Sequence, residues 1–87
     1  MVRFWGKCIK NKRIIRQKTM AVNVDKIDWS LFYDYISELS HSLDSPTPLI
    51  IKTHIFNFAK FNFVKFTKAD FVETLDYDEL VVELIKD

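Results

Sequence analysis

The sequence predicts an α+β fold: a small antiparallel sheet, built from an N-terminal β-hairpin and a C-terminal strand, packed against one long amphipathic helix, with a shorter second helix. Three observations predict it. Strand-forming residues lie on both sides of Asn11-Lys12, a dipeptide suited to a tight turn. Trp29, Phe32, Ile36, Leu39 and Leu43 recur at steps of three and four, the spacing of one helix face. Leu80-Val81-Val82-Glu83-Leu84-Ile85 is an apolar run of strand length, broken only by Glu83.

The hairpin is expected over residues 2–10 and 13–24, where Ile9, Ile14, Ile15, Thr19, Val22 and Val24 favour extended backbone. Asn tolerates positive φ, so Asn11-Lys12 is the expected turn. Counting outward from it places Lys10 opposite Arg13, Ile9 opposite Ile14, Cys8 opposite Ile15, Lys7 opposite Arg16 and Trp5 opposite Lys18. One face then carries Val2, Phe4, Gly6, Cys8, Ile15 and Ala21 and reads as core. The other carries Arg3, Trp5, Lys7, Ile9, Ile14, Arg16, Lys18 and Met20 and reads as basic with apolar islands.

The long helix is expected over residues 28–44. Asp28 is its N-cap, and Ser45-Pro46-Thr47-Pro48 ends it, because a residue before proline avoids the helical region. Its stripe, Trp29 included, is expected to be buried. Residues 49–66 admit two readings. In the preferred one, Leu49-Ile50-Ile51 is a short buried strand and Thr53 caps a helix over 54–61 that buries Ile55, Phe58 and Phe61. A turn at Asn62 and a strand over 63–66 follow. The alternative is extended throughout Phe56-Asn57-Phe58 and Phe61-Asn62-Phe63. Thr67-Lys68-Ala69-Asp70 has the form of a capping box and is expected to open one or two helical turns, through Leu75. Asp76-Tyr77-Asp78-Glu79 reads as a polar turn before the last strand, 80–86.

Length and composition bound the rest. Eighty-seven residues are expected to form a single small domain, 1–87. An apolar fraction of 48% and a charged fraction of 29% exclude a disordered chain, and a single cysteine excludes an internal disulfide. No apolar run approaches the roughly 20 residues of a membrane span. The N-terminal segment lacks the apolar stretch of a signal peptide. The expectation is therefore a soluble, cytoplasmic chain with no membrane partner.

Catalytic patterns are weak. A nucleophilic pair needs Cys8 near His41 or His54, yet Cys8 falls on the expected core face, where a thiol is an inert apolar group. Two histidines and one cysteine are too few for a zinc site. Asp76 and Asp78 offer fewer oxygens than a calcium loop uses, and no glycine for its sharp turn. No catalytic, cofactor or metal residue is assigned, no cofactor is expected, and an enzyme is the weakest of three functional readings.

Charge layout is more informative. Residues 1–26 hold eight cations against Asp25 alone, a net of +7. Residues 70–87 hold seven acids against Lys86 alone, a net of −6. Within twelve residues of the hairpin lie Lys7, Lys10, Lys12, Arg13, Arg16 and Lys18 with no acid among them, and Trp5 lies alongside. These seven form the candidate binding surface. Cations neutralise phosphates and aromatics stack on bases, so this surface suits nucleic acid. The preferred explanation is a solvated sheet face whose charge is met by the acidic C-terminal strand, with Glu83 the expected counter-anion of Lys7 and Arg16.

Lys60-Phe61-Asn62-Phe63-Val64-Lys65-Phe66 also resembles one strand motif of RNA-recognition domains in its aromatic spacing. It departs from that motif at Ala59, Lys60 and Asn62, and no partner motif is evident on a first strand. Taken whole, the chain resembles a group of short clostridial proteins of unknown function. The likeness is carried by Phe4-Trp5-Gly6-Lys7, Asn11-Lys12-Arg13-Ile14-Ile15, Pro48, Phe66, Phe71, Val72, Glu73, Asp76 and Leu80. It implies one small bacterial domain and carries over no functional residue. The leading expectation is a non-enzymatic module, protein-binding or regulatory, that contacts another protein or a second copy of itself. The alternative is a nucleic-acid-binding protein using hairpin 7–18 and its nearby aromatics.

Overall fold

The extended N-terminal segment forms strands β1 (Val2–Lys10) and β2 (Arg13–Val22). The structure is a computed structural model and describes residues 1–86; Asp87, one of the acids in the C-terminal count, lies outside them. Asn11 and Lys12 both adopt left-handed φ, 52° and 66°, as a two-residue hairpin turn requires. Strands β3 (Phe63–Thr67) and β4 (Glu79–Lys86) complete an antiparallel sheet of order β2-β1-β4-β3. The sheet therefore has one more strand than the hairpin and C-terminal strand alone.

The turn sets Lys10 opposite Arg13 and Ile9 opposite Ile14, as expected. Beyond them the ladder slips. Cys8 faces Arg16, Lys7 faces Gln17, Gly6 faces Lys18 and Trp5 faces Thr19, leaving Ile15 as the extra residue of a bulge. The expected pairs Cys8/Ile15, Lys7/Arg16 and Trp5/Lys18 do not form. A one-residue slip moves every later side chain to the opposite face. Met20 and Val22 thereby pack against the core, where an unbroken register would have placed Thr19 and Ala21. Ile15 and Ala21, expected in the core, are exposed.

Two helices lie on the face that carries Phe4, Cys8, Val64, Phe66, Leu80 and Val82. The first, α1 (Phe32–Ser42), follows a 3-10 turn at Trp29–Leu31. Asp28 caps that turn, accepting from the Ser30 N–H at 3.0 Å. Phe32, Ile36, Leu39 and Leu43 are buried as expected, but Trp29 is 40% exposed. Its 3-10 turn winds three residues per turn, so it drops out of phase with the α-helical stripe.

The second helix, α2 (Lys52–Phe61), starts two residues before the expected helix. Leu49-Ile50-Ile51 is not a strand, and Thr53 does not cap the helix. His54 does so instead, its Nδ1 accepting from the Ile51 N–H at 3.1 Å. Asn62 closes the helix in left-handed geometry, φ 63°, donating its N–H to the Phe58 carbonyl. Phe58 is fully buried, Ile55 half-buried, and Phe61, expected inside, is 53% exposed. Thr67 and Asp70 form the expected box, the Thr67 N–H donating to Asp70 Oδ2 at 2.8 Å. It closes a single 3-10 turn, Lys68–Asp70, with no further helical turn toward Leu75.

Gly6 is where α1 meets the sheet. A Cβ built there would lie 2.9 Å from Leu39 Cδ2 and 3.0 Å from Leu43 Cδ1. The helix approaches β1 this closely because the position has no side chain. Among the described residues no helix packs on the other sheet face, which carries Arg3, Trp5, Lys7 and Ile9, and no helix is long and apolar enough to cross a membrane.

Candidate functional site

The bulge turns Arg16 onto the face of Cys8, toward the segment that precedes β4. There its guanidinium meets both carboxylate oxygens of Asp76 at 3.0 Å, and its Cζ lies 5.6 Å from the Tyr77 ring centroid. Bidentate geometry of this kind suits a planar guanidinium. Hydrogen bonding to Arg16 holds the Asp76 carboxyl below its ordinary value. Tyr77 is buried, and its hydroxyl lies 2.6 Å from Ser45 Oγ, which in turn donates to the Pro46 carbonyl. Burial pushes the Tyr77 phenol up to about 12.

Asp78 ties the hairpin tip to the same segment. Its carboxylate accepts from the Asn11 N–H at 2.9 Å, and its own N–H donates to the Ile9 carbonyl at 2.8 Å. The Asn11 bond, with Lys68 and Lys10 nearby, lowers the Asp78 carboxyl. Lys68 lies 3.6 Å from Asp78 and Lys65 3.6 Å from Glu79. Asp76 thus pairs with the hairpin's Arg16 and Asp78 holds its turn through Asn11, while Lys68 and Lys65, outside the hairpin, take up Asp78 and Glu79. The expected role of Glu83 as counter-anion of Arg16 is overturned, because Asp76 fills it. Glu83 lies instead between Trp5 and Phe63 in the ladder.

The seven candidate residues do not form one surface. Trp5 and Lys7 sit on the bare sheet face, where Trp5 Nε1 donates to Gln17 at 2.9 Å and Lys7 Nζ lies 4.0 Å above the Trp5 ring. The cation on Trp5 is therefore Lys7, not Lys18. Lys10 and Arg13 face each other where the hairpin turns, and Lys12 occupies its tip. Arg16 and Lys18 point to the helix side.

The chemistry expected of the histidines and cysteine is also placed. Cys8 is buried, and burial raises its thiol above the ordinary value. His54 is held by Ile51, by Asp70 at 3.4 Å from its Nε2, and by the Phe66 ring at 4.6 Å. His41 is exposed at the end of α1. Neither histidine is among the groups that contact the Cys8 thiol, which are Arg16 and Tyr77.

A surface that sequence reasoning missed lies between the 3-10 turn and α2. Trp29, Lys52, Ile55, Phe56 and Ala59 line an open apolar cleft of about 390 Å³. A second cleft of about 420 Å³ shares Trp29 and Ala59 and continues past Asp25, Lys26 and Ile27. Phe56 is 64% exposed, and Lys60 Nζ lies 5.9 Å from its ring centroid. The signal was present in the sequence. Phe56 falls off the Ile55–Phe58 face of α2, so a helix leaves it outside wherever the others are buried.

No family model, curated protein or solved structure matches this chain. Any function must therefore be argued from these surfaces.

Proposed function

We propose that this protein is a non-enzymatic cytoplasmic module that binds another protein, in a regulatory role, through the cleft of Trp29 and Phe56. The observation that carries the reading is the joint exposure of these two rings around an apolar cleft, with Lys52 and Lys60 beside them. Exposed aromatic side chains in a concave apolar setting are the usual anchors of protein interfaces. The hairpin charge supports the same reading. Asp76 pairs with Arg16 and the Asp78 carboxylate lies near Lys10, which interrupts the continuous positive stripe that phosphate binding uses.

Selection of displayed peptides against the protein tests this reading. Enrichment of apolar sequences that bind the wild type, and lose binding to a Phe56→Glu variant, is the expected result. Failure to enrich any such sequence would overturn the reading.

The nucleic-acid alternative has its own support in the bare sheet face, where Trp5 and Phe63 flank Glu83 and Lys7 and Lys65 flank Val81. Titration with labelled single-stranded oligonucleotides separates the two. Tight binding that falls steeply with salt and disappears in a Trp5→Ala, Lys7→Ala double variant would favour the alternative.

A further inference from the structure

We propose that the outer edge of β2 accepts an acidic, extended peptide as a fifth strand of the sheet. The inference rests on the reading of the protein as a protein-binding module, but it uses a different surface and names the chemistry of the partner. β2 ends the strand order, so among the described residues its main-chain donors and acceptors have no neighbouring strand along its outer side. Beyond the bulge its register with β1 is regular over residues 17–22 and contains no proline. Such an edge is a template for strand addition.

Charge selects the occupant. β2 carries Arg13, Arg16 and Lys18 and no acid. Arg16 is committed to Asp76, whereas Arg13 and Lys18 are exposed and have no carboxylate partner among the described residues. Pairing β2 with β2 of a second copy would set these cations against one another. Pairing it with the other sheet edge, β3, would add Lys65 and supply no acid. Like charges across a ladder destabilise it and opposite charges stabilise it. The side chains therefore reject a second copy and favour an acidic strand.

Alternation fixes the pattern. Arg16, Lys18 and Met20 point to the helix side, and Gln17 and Thr19 to the bare side. A peptide with acids at every second residue places all of them on one face, the face of Lys18. Its intervening residues then lie beside Gln17 and Thr19.

The test uses a fluorescein-labelled, end-capped octapeptide alternating Glu and Val, followed by anisotropy at about 0.01 M and about 1 M salt, where screening changes most. Saturable binding at low salt is expected, weakened at high salt. It should fall by about tenfold or more for a Lys/Val peptide and for a Lys18→Glu variant. The Glu/Val sequence N-methylated at every residue keeps the charge and loses the main-chain donors, and it should also fall by about tenfold or more. Amide exchange should slow over residues 17–22 when the peptide binds. Equal binding of the N-methylated peptide, or no change in Lys18→Glu, would overturn strand addition. No binding at low salt would do the same. Slowed exchange around Trp29 and Phe56 in place of β2 would move the site to the cleft, overturning this inference while leaving the module reading intact.

Discussion

Arg16 and Asp76, sixty residues apart in the chain, are joined by two hydrogen bonds of 3.0 Å. The pair ties the basic N-terminal segment to the acidic C-terminal one. The acids 76–79 form no strand until Glu79, and as a loop they reach the hairpin from its end rather than from across the sheet.

The pair makes stability depend on acid. Hydrogen bonding to Arg16 lowers the Asp76 carboxyl, and the Asn11 N–H lowers that of Asp78. A carboxyl lowered by folding adds stability that is present above its unfolded value of about 4 and is lost as pH falls through the folded value. Both carboxylates are solvent-exposed, so the effect is modest. Asp76→Asn should lower the urea midpoint at neutral pH and flatten its decline between about pH 5 and pH 2. Curves of the same shape for variant and wild type would show that the pair has no such linkage.

Gly6 should resist substitution. Alanine in a strand is ordinarily favoured over glycine by about 0.5–1 kcal/mol. Here the added Cβ meets Leu39 Cδ2 at 2.9 Å, closer than side chains tolerate, and Leu43 Cδ1 at 3.0 Å, so both leucines must shift. Gly6→Ala should cost about 1–3 kcal/mol, the usual range for overpacking. Combining it with Leu39→Ala should cost less than the sum of the single changes, because the smaller residue vacates the space. Chemical denaturation of the four proteins in this cycle decides it, and strict additivity would place the strain elsewhere.

The helix stripe should be energetically uneven. Ile36 is fully buried, so Ile36→Ala should cost about 2–5 kcal/mol. Trp29 keeps ring contacts with Phe32 and Phe58 at 5.8 and 6.1 Å but is partly exposed. Trp29→Ala should cost about 1 kcal/mol, in the range of a single aromatic pair. Thermal melting of both variants checks the order, and equal losses would mean that Trp29 is core.

Much of the fold was legible because its signals are local. Asn11 accepts positive φ, Asp28 caps its turn, Thr67 and Asp70 close theirs, and the Phe32–Leu43 stripe repeats at helical spacing. The candidate surface was less legible. Its seven residues fall within fourteen positions of the sequence, but a strand sends neighbours to opposite faces and a hairpin places them on two strands. Phe56 and Phe61 were hard to place because an aromatic-rich helix has more rings than one buried face holds.

The sequence by itself determined the α+β class, the hairpin turn, the first helix and the last strand, since each rests on interactions within a few residues. Tertiary structure alone decided the bulge at Ile15, and with it which side of β2 is basic. The physical reason is that strand alternation has a period of two, so a single extra residue inverts every later position. Nothing near Ile15 selects that inversion. It is selected by the burial of Met20 and Val22 against the core, and by an Asp76 carboxylate sixty residues away that only the assembled sheet brings to Arg16.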